Sequence, residues 1–243
     1  STDRSIVMTP SKDVVRTGET FTVTVSVSHE SEALKFAAWD LNYSEEYFTY
    51  VDSELASPYT EISVLVMNRD GNPLTPDVYA TTGYELTGDI MVYTFKAKRT
   101  AVTDKPFEFE SSNVRTGNDG WTGEDVTDKI LDDDNYTFLL IAHQLELADD
   151  STIDLINELY DYSVPNGYSF YCLTSSSDEE ILRWQDSTGA EYPFCLADNT
   201  TLRTMIRSNP GLILLKEGVI LNKWGVNELP DEYQLSDRLE MLP

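Results

Sequence analysis

The residues of this chain that could do thiol chemistry are its two cysteines, Cys172 and Cys195. Disulfide exchange needs a thiolate whose pKa is lowered, typically at a helix N-terminus, and a second thiol nearby. Neither cysteine belongs to a Cys-x-x-Cys or metal-type spacing, and both lie inside apolar segments, FYCLT and PFCLA. We therefore interpret them as buried free thiols in neighbouring strands, with a structural disulfide and a redox function as alternatives.

The other candidates for chemistry are a histidine and several carboxylates. His143 precedes Asp149 and Asp150 in the stretch AHQLELADDST, where an imidazole beside carboxylates could bind a metal or act as a base. A hydrogen-bonded structural role is the simpler interpretation of His143, and His29 is expected in a solvated turn. The run LDDDN, 131–135, lacks the spaced ligands of an EF-hand loop and is interpreted as a solvated linker. The sequence predicts no metal site, no cofactor and no catalytic residue.

The charge of the chain limits its partners. The formal net charge is −26 over 243 residues, with a hydrophobic content of 40% that is sufficient for a core. Such a surface repels the phosphates of nucleic acids and of anionic membranes. No stretch of about 18 apolar residues is present, so no membrane insertion is expected of this chain. The start at STDRSI without Met indicates a mature form or a fragment.

The first half is predicted to be entirely β. Phe21 to Ser28 reads FTVTVSVS and alternates strictly between apolar and polar residues, which is typical of a strand with one buried face. Further strands are predicted at SIVMTP, KFAAWDLNY, EISVLVMN, DVYATTGY, DIMVYTFKAK and PFEFESS, separated by turn residues. Short strands separated by turn residues in this way predict an all-β sandwich over residues 1–120.

The second half alternates strands and helices. YTFLLIAHQL is a continuous apolar run of the kind found in strands buried on both faces. STIDLINELYDYSVPNG, SSDEEILRWQDSTG and NTTLRTMIRSN are predicted helices, and YSFYCLTSSS and YPFCLAD are predicted strands. A hairpin at GLILLKEGVILNKW follows, and Val126, Ile130 and Leu131 could form a short helix before the first strand. This order predicts an α/β domain over residues 121–243.

One proline in this half is in an informative position. The stretch SNPGLILLKEGVILNKW places Pro210 directly before the first strand of the hairpin. This arrangement resembles the thioredoxin superfamily, in which a cis-proline precedes the third core strand and faces the active-site loop. The resemblance implies that Pro210 is this cis-proline. The loop corresponding to the active site, AHQLELADDST, contains no cysteine, so the resemblance implies a thioredoxin-like domain without the redox reaction.

A more specific resemblance covers about residues 123–243. The stretches GEDVTDKIL, YTFLLIAHQLE, GYSFYCLTSSSDEEI and IRSNPGLILLKEGVILNKW look like the C-terminal soluble domain of Bacteroidetes membrane proteins of the DoxX family. In those proteins membrane helices precede the domain, whereas a β-sandwich precedes it here. The difference implies a natural rearrangement or an engineered fusion, and it makes an associated membrane protein one possible partner.

The first half resembles a cohesin module over about residues 1–118. TGETFTVTVSV looks like the second strand of that family, FAAWDLNYSEEYFTYVD like a later strand and its turn, and TGDIMVYTFKAKRTA like a late strand. Cohesins bind dockerin modules through one sheet face, so the resemblance implies a protein partner of the dockerin type. The residues of that binding face cannot be assigned from the sequence.

These observations predict a two-domain extracytoplasmic protein, from the periplasm or the cell surface, in which a cohesin-like sandwich is joined to a thioredoxin-like domain. The predicted function is protein binding or assembly rather than catalysis. A thiol-redox or peroxiredoxin-like accessory protein that uses Cys172 and Cys195 is one alternative. A structural spacer or an engineered fusion is the other.

Overall fold

The computed structural model describes residues 5–28, 33–57, 59–60, 64–103, 106–116 and 122–242. The chain divides into two compact units, Ser1–Asp125 and Val126–Pro243. His29 lies outside the described residues, and so does part of the predicted strand at EISVLVMN. No helix in the described ranges is long and apolar enough to cross a membrane.

The first unit is a β-sandwich. Its strands are β1 Ser5–Pro10, β2 Val14–Val15, β3 Thr20–Ser28, β4 Leu34–Tyr43, β5 Phe48–Leu55, β6 Val64–Met67, β7 Asp77–Ala80, β8 Gly88–Ala97, β9 Ala101–Val102 and β10 Phe107–Thr116. One antiparallel sheet has the order β1-β3-β8-β5 and the other the order β10-β4-β7-β6, while β2 and β9 form a short separate pair. Each predicted strand of this half contains an observed one.

The alternation in β3 determines which face is buried. Phe21, Val23, Val25 and Val27 are each at most 3% exposed, and the Thr and Ser side chains between them face outward. The inward side chains meet an aromatic cluster in which the rings of Phe48 and Phe107 stack with centroids 4.9 Å apart. Burial of such rings is the main source of stability in a sandwich of this size.

The second unit is a mixed sheet with helices. Its strands are β11 Tyr136–Ile141, β12 Ser169–Thr174, β13 Phe194–Leu196, β14 Gly211–Lys216 and β15 Val219–Gly225. Its helices are α1 Thr127–Leu131, α2 Ile153–Ser163, α3 Asp178–Thr188, α4 Asn199–Met205 and α5 Glu232–Glu240, with 3₁₀ turns at Leu145–Leu147 and Val226–Glu228. The α/β prediction is confirmed at this level.

The sheet of the second unit has the order β13-β12-β11-β14-β15. β11, β12 and β13 run parallel, and β14 is antiparallel to β11 and to β15. The central strands are buried on both faces. Phe138 and Leu140 face one hydrophobic cluster, and Leu139 and Ile141 face another. This explains the continuous apolar run in the sequence.

Three expectations about elements were incomplete. β5, Phe48–Leu55, was not predicted as a strand, and neither was the helix α5, which Asp231 and Gln234 begin with a capping box. The first strand of the second unit ends at Ile141 rather than at residue 145. The backbone N–H of Ala142 still bonds to Leu173, but the chain then turns into the 3₁₀ segment at Leu145–Leu147.

Candidate functional site

The two cysteines lie on adjacent strands, as the sequence predicted. β12 and β13 pair in parallel, with Cys172 opposite Phe194 and Leu173 opposite Cys195. Successive side chains of a strand point to opposite faces of the sheet, so this one-residue offset places the two thiols on opposite faces. The two cysteines are free. The register therefore argues against a disulfide between them.

The two thiols differ in burial: Cys172 is buried, as predicted, whereas Cys195 is only partly buried, which corrects the expectation of two buried thiols. Cys172 is fully buried in the cluster that contains Phe170 and Tyr192, and burial raises the pKa of its thiol. Burial also raises the pKa of the Cys195 thiol, to about 11. A nucleophilic thiol needs the opposite shift, because the thiolate is the reactive form. Neither cysteine is therefore placed for redox chemistry near neutral pH.

Pro210 is buried, and the Asn209–Pro210 peptide bond is cis. The proline lies directly before β14, and the segment around it bonds to the loop after β11. Asn209 Nδ2 donates to the carbonyl of Gln144 at 2.8 Å, and the N–H of Asp149 donates to the carbonyl of Asn209 at 2.9 Å. The structure thus brings the proline segment against the stretch AHQLELADDST. A second cis bond, Asn72–Pro73 in the first unit, was not anticipated from the sequence.

His143 is half-buried at the end of β11. Its carbonyl accepts hydrogen bonds from the N–H and the hydroxyl of Ser175, which fixes the loop against the end of β12. Burial and the charge of Arg203 lower the pKa of the imidazole, while Glu146 acts in the opposite direction. No hydrogen bond or ion pair within the described ranges joins His143 to Asp149 or Asp150. The structure therefore gives no His–Asp pair for a base.

The carboxylates near this loop have structural roles. Asp149 Oδ1 accepts the N–H of Ser151 at 2.9 Å, and the hydrogen bonds with Ser151 lower the pKa of Asp149. Asp133, in the run interpreted as a solvated linker, accepts from Ser169 Oγ at 2.8 Å and from the N–H of Asn135 at 2.9 Å. Asp133 thus connects the start of β11 to β12. Among the described residues no group of three His, Cys, Asp or Glu side chains could hold a metal ion.

Several buried polar atoms of the second unit lie in the loops around the carboxyl ends of the parallel strands and the segment before β14. Four of them have no hydrogen-bond partner in the described part of the chain: His143 Nδ1, Thr152 Oγ1, Asn199 Oδ1 and Asn209 Oδ1. In open α/β sheets ligands bind outside the carboxyl ends of strands. Sequence analysis missed Thr152, Asn199 and Asn209, because a buried unpaired atom can be recognised only in three dimensions.

A cleft in the same unit lies beside the 3₁₀ turn. It has a volume of about 310 Å³ and is lined by residues of the loop, of α2 and of α3, among them Leu145, Ile153, Arg183 and Trp184. Arg183 is bonded to Glu179 and Glu180 on its own helix. The cleft therefore combines apolar side chains with an arginine that already has two carboxylate partners.

The first unit offers two sheet faces of different character. The outward face of β1-β3-β8-β5 carries the Thr and Ser side chains of β3 together with Val7 and Val92, which lie opposite Ser26 and Thr24. The register of β4, β6 and β7 places Phe36 opposite Tyr79 and Tyr79 opposite Leu65 on the side of the sheet away from the core cluster, and the rings of Phe36 and Tyr79 have centroids 4.9 Å apart. Phe36 and Tyr79 are each only 1% exposed, so these two rings are covered. Ala38 lies opposite Asp77 on this same face. We call the outward side of β4, β7 and β6 the aromatic face.

Comparison with known proteins gave matches among solved structures. The chain is similar to the complex Coh3ScaB-XDoc_M1ScaA of Acetivibrio cellulolyticus, described as a mutant of a type II Cohesin-X-Dockerin complex. The identity is 15%, 47% of this chain and 87% of that chain are covered, and the TM-score is 0.38. It is also similar to a cohesin module from a Clostridium perfringens family 33 glycoside hydrolase, at 14% identity over 47% of this chain and 93% of that chain, with a TM-score of 0.32.

A third similar structure is a non-cellulosomal cohesin from the archaeon Archaeoglobus fulgidus, at 13% identity over 42% of this chain and 70% of that chain, with a TM-score of 0.32. Likenesses of this strength carry no argument about partners. No protein-family model matches the chain. No curated protein matches it either.

Proposed function

We propose that this chain is a non-catalytic, extracytoplasmic binding protein, in which a cohesin-like sandwich precedes a thioredoxin-like domain that lacks redox chemistry. The observation that carries the non-catalytic part is the placement of the thiols. Cys172 and Cys195 point to opposite faces of the sheet, and burial raises the pKa of each. A thiol-redox accessory function, the alternative, would need at least one activated thiolate.

The thioredoxin-like assignment is supported by topology. The strands β12-β11-β14-β15 have the pattern of two parallel strands followed by an antiparallel hairpin, and a cis-proline precedes the first strand of that hairpin. β13 adds a further parallel strand at the edge. The resemblance to the DoxX-family domain rests on the sequence alone, and an associated membrane protein is a proposed partner of this half.

Protein binding by the first unit is proposed on its sequence resemblance to cohesins, and we place the contact on the aromatic face. The rings of Phe36 and Tyr79 are buried, so they form the base of this face and do not themselves meet a partner. Ala38, Leu65 and Asp40 are half-exposed on or beside this face, so a partner can reach them. A dockerin-type module is the proposed partner.

The test is the binding of purified dockerin modules to the chain, measured by calorimetry with two matched variants. Ala38→Arg adds a large charged side chain to the aromatic face, and Thr24→Arg adds one to the outward face of β3. We expect binding of at least one dockerin, a loss of roughly tenfold or more in affinity with Ala38→Arg, and little change with Thr24→Arg. Absence of binding across a panel of type I and type II dockerins would contradict the proposed partner.

A further inference from the structure

The second unit contains a cluster of basic side chains although most of its charge is acidic. The outward side of α4 carries Thr200, Arg203 and Thr204, and Arg207 lies two residues after the helix ends at Met205. These four residues line a cavity of about 440 Å³. The opposite side of the segment, with Leu202, Met205 and Ile206, packs into the hydrophobic cluster of β11 and β14. The core contacts of α4 therefore turn Arg203 outward, and Arg207 lines the same cavity from the segment after the helix.

A third cation is held at the end of the same helix. Lys223 of β15 donates from Nζ to the carbonyl of Met205, the last residue of α4, at 2.8 Å. Arg203, Arg207 and Lys223 thus lie around one helix end. A cation near the C-terminal carbonyls of a helix is favourable, but the two arginines beside Lys223 repel it and each other.

The three cations form no ion pair with any acidic residue in the described ranges. In contrast, Arg183 of the same unit has two carboxylate partners. The acidic residues that border the cluster bond to other groups: Asp198 accepts the N–H of Thr201 at 2.9 Å, and Glu228 accepts the N–H of Gly225 at 3.4 Å. An anion bound there would therefore meet positive charge that no carboxylate in the described ranges neutralises.

We propose that Arg203, Arg207 and the hydroxyl of Thr200 form a binding site for a phosphate group, either free phosphate or the phosphate of a small organic ligand. One guanidinium group can donate two parallel hydrogen bonds to a single carboxylate. Two guanidinium groups, a nearby ammonium and the Thr200 hydroxyl match a dianion with several acceptor oxygens. The Thr204 hydroxyl donates to the carbonyl of Thr201 at 2.6 Å and lines the cavity without adding a donor. The cavity volume suits a small ligand.

The test is an NMR titration of the full chain that follows the guanidinium Nε–H signals of Arg203 and Arg207 and the amides of α4. The probes are inorganic phosphate, glycerol phosphate and acetate, all at one ionic strength set with sodium chloride. We expect saturable shifts with both phosphates and weaker, unsaturated shifts with acetate. Tighter binding of glycerol phosphate would assign the site to an organic ligand, and equal binding would assign it to free phosphate.

Three single variants, each of which removes one positive charge, serve as comparison. Arg203→Gln and Arg207→Gln should each weaken phosphate binding roughly tenfold, because each removes charge-assisted hydrogen bonds. Arg238→Gln, on the exposed side of α5, should leave the affinity unchanged. Equal losses in all three variants, or equal binding of acetate and phosphate, would overturn the proposal and indicate general screening of charge.

Discussion

At the residue scale, each unit contains a buried hydrogen bond between a tryptophan and a tyrosine. In the sandwich Trp39 Nε1 donates to the hydroxyl of Tyr93 at 3.0 Å, and in the second unit Trp184 Nε1 donates to the hydroxyl of Tyr192 at 3.0 Å. Burial raises the pKa of both tyrosines. These rings contribute large apolar areas, and the hydrogen bond removes the cost of burying their polar atoms.

We predict that Trp39→Phe and Tyr93→Phe each lower the free energy of unfolding by about 1–3 kcal/mol, because each leaves one buried polar group unpaired. The double variant should cost less than the sum of the two by about 1 kcal/mol, since no orphaned group remains. Urea unfolding of the four proteins gives the coupling. Strict additivity would mean that the hydrogen bond contributes nothing.

Part of the candidate site could be predicted from the residue types of the sequence. The apolar neighbours of Cys172 and Cys195 predicted thiols in adjacent buried strands, and the structure confirms this pairing. The opposite facing of the two thiols depends on a register that the sequence does not specify. The role of Asp133 was missed, because its partner Ser169 lies on a different strand and the run LDDDN reads as solvated.

At the element scale, the end of β7 is closely approached by a glycine. Gly123 has φ +70, its carbonyl accepts the N–H of Thr82 at 2.7 Å, and a Cβ added there would lie 2.7 Å from the carbonyl oxygen of Ala80. Only a residue without a side chain can fit against backbone at this distance.

We predict that Gly123→Ala destabilises the first unit clearly more than Gly18→Ala does. Gly18 also has a positive φ, of +87, but a Cβ there would meet nothing within 4 Å. In both variants the alanine must adopt a positive φ, which costs about 1 kcal/mol. The difference in stability between the two variants therefore measures the steric contact of the Cβ at position 123. Thermal unfolding of both variants measures it. Equal melting temperatures would show that the segment at Gly123 moves away without cost.

Elements with strong local patterns were predictable. The alternation of β3 identified the strand and its buried face, apolar residues at helical spacing predicted α2, and acidic residues in the first turn favoured α3. α5 was missed because its apolar contacts are few, with only Leu235 and Leu239 buried, although Asp231 and Gln234 gave a capping signal. β5 was missed because its polar residues and bulge weaken the alternation. Tertiary pairing, rather than local preference, makes it a strand.

At the scale of the whole molecule, each unit has a core of its own. The clusters around Phe95 and Trp39 belong to the first unit, and those around Phe138 and Leu139 belong to the second. Each unit is of a length at which single domains usually fold alone.

We predict that fragments 1–125 and 126–243, expressed separately, each fold and unfold cooperatively. Circular dichroism melting curves and the dispersion of amide signals in NMR spectra would show this directly. If either fragment proved disordered while the full chain is folded, that half would need the other for its stability, and the two-domain description would be wrong.

We propose that this molecule acts by binding and not through its thiols, and native-state thiol titration at pH 8 tests that proposal most directly. With a pKa raised to about 11, Cys195 should react at least roughly 100-fold more slowly than a free cysteine, and Cys172 should react only after unfolding. Two thiols should appear in denaturant without prior reduction. A fast native reaction of either cysteine, or a bond that must first be reduced, would contradict the account and favour the redox alternative.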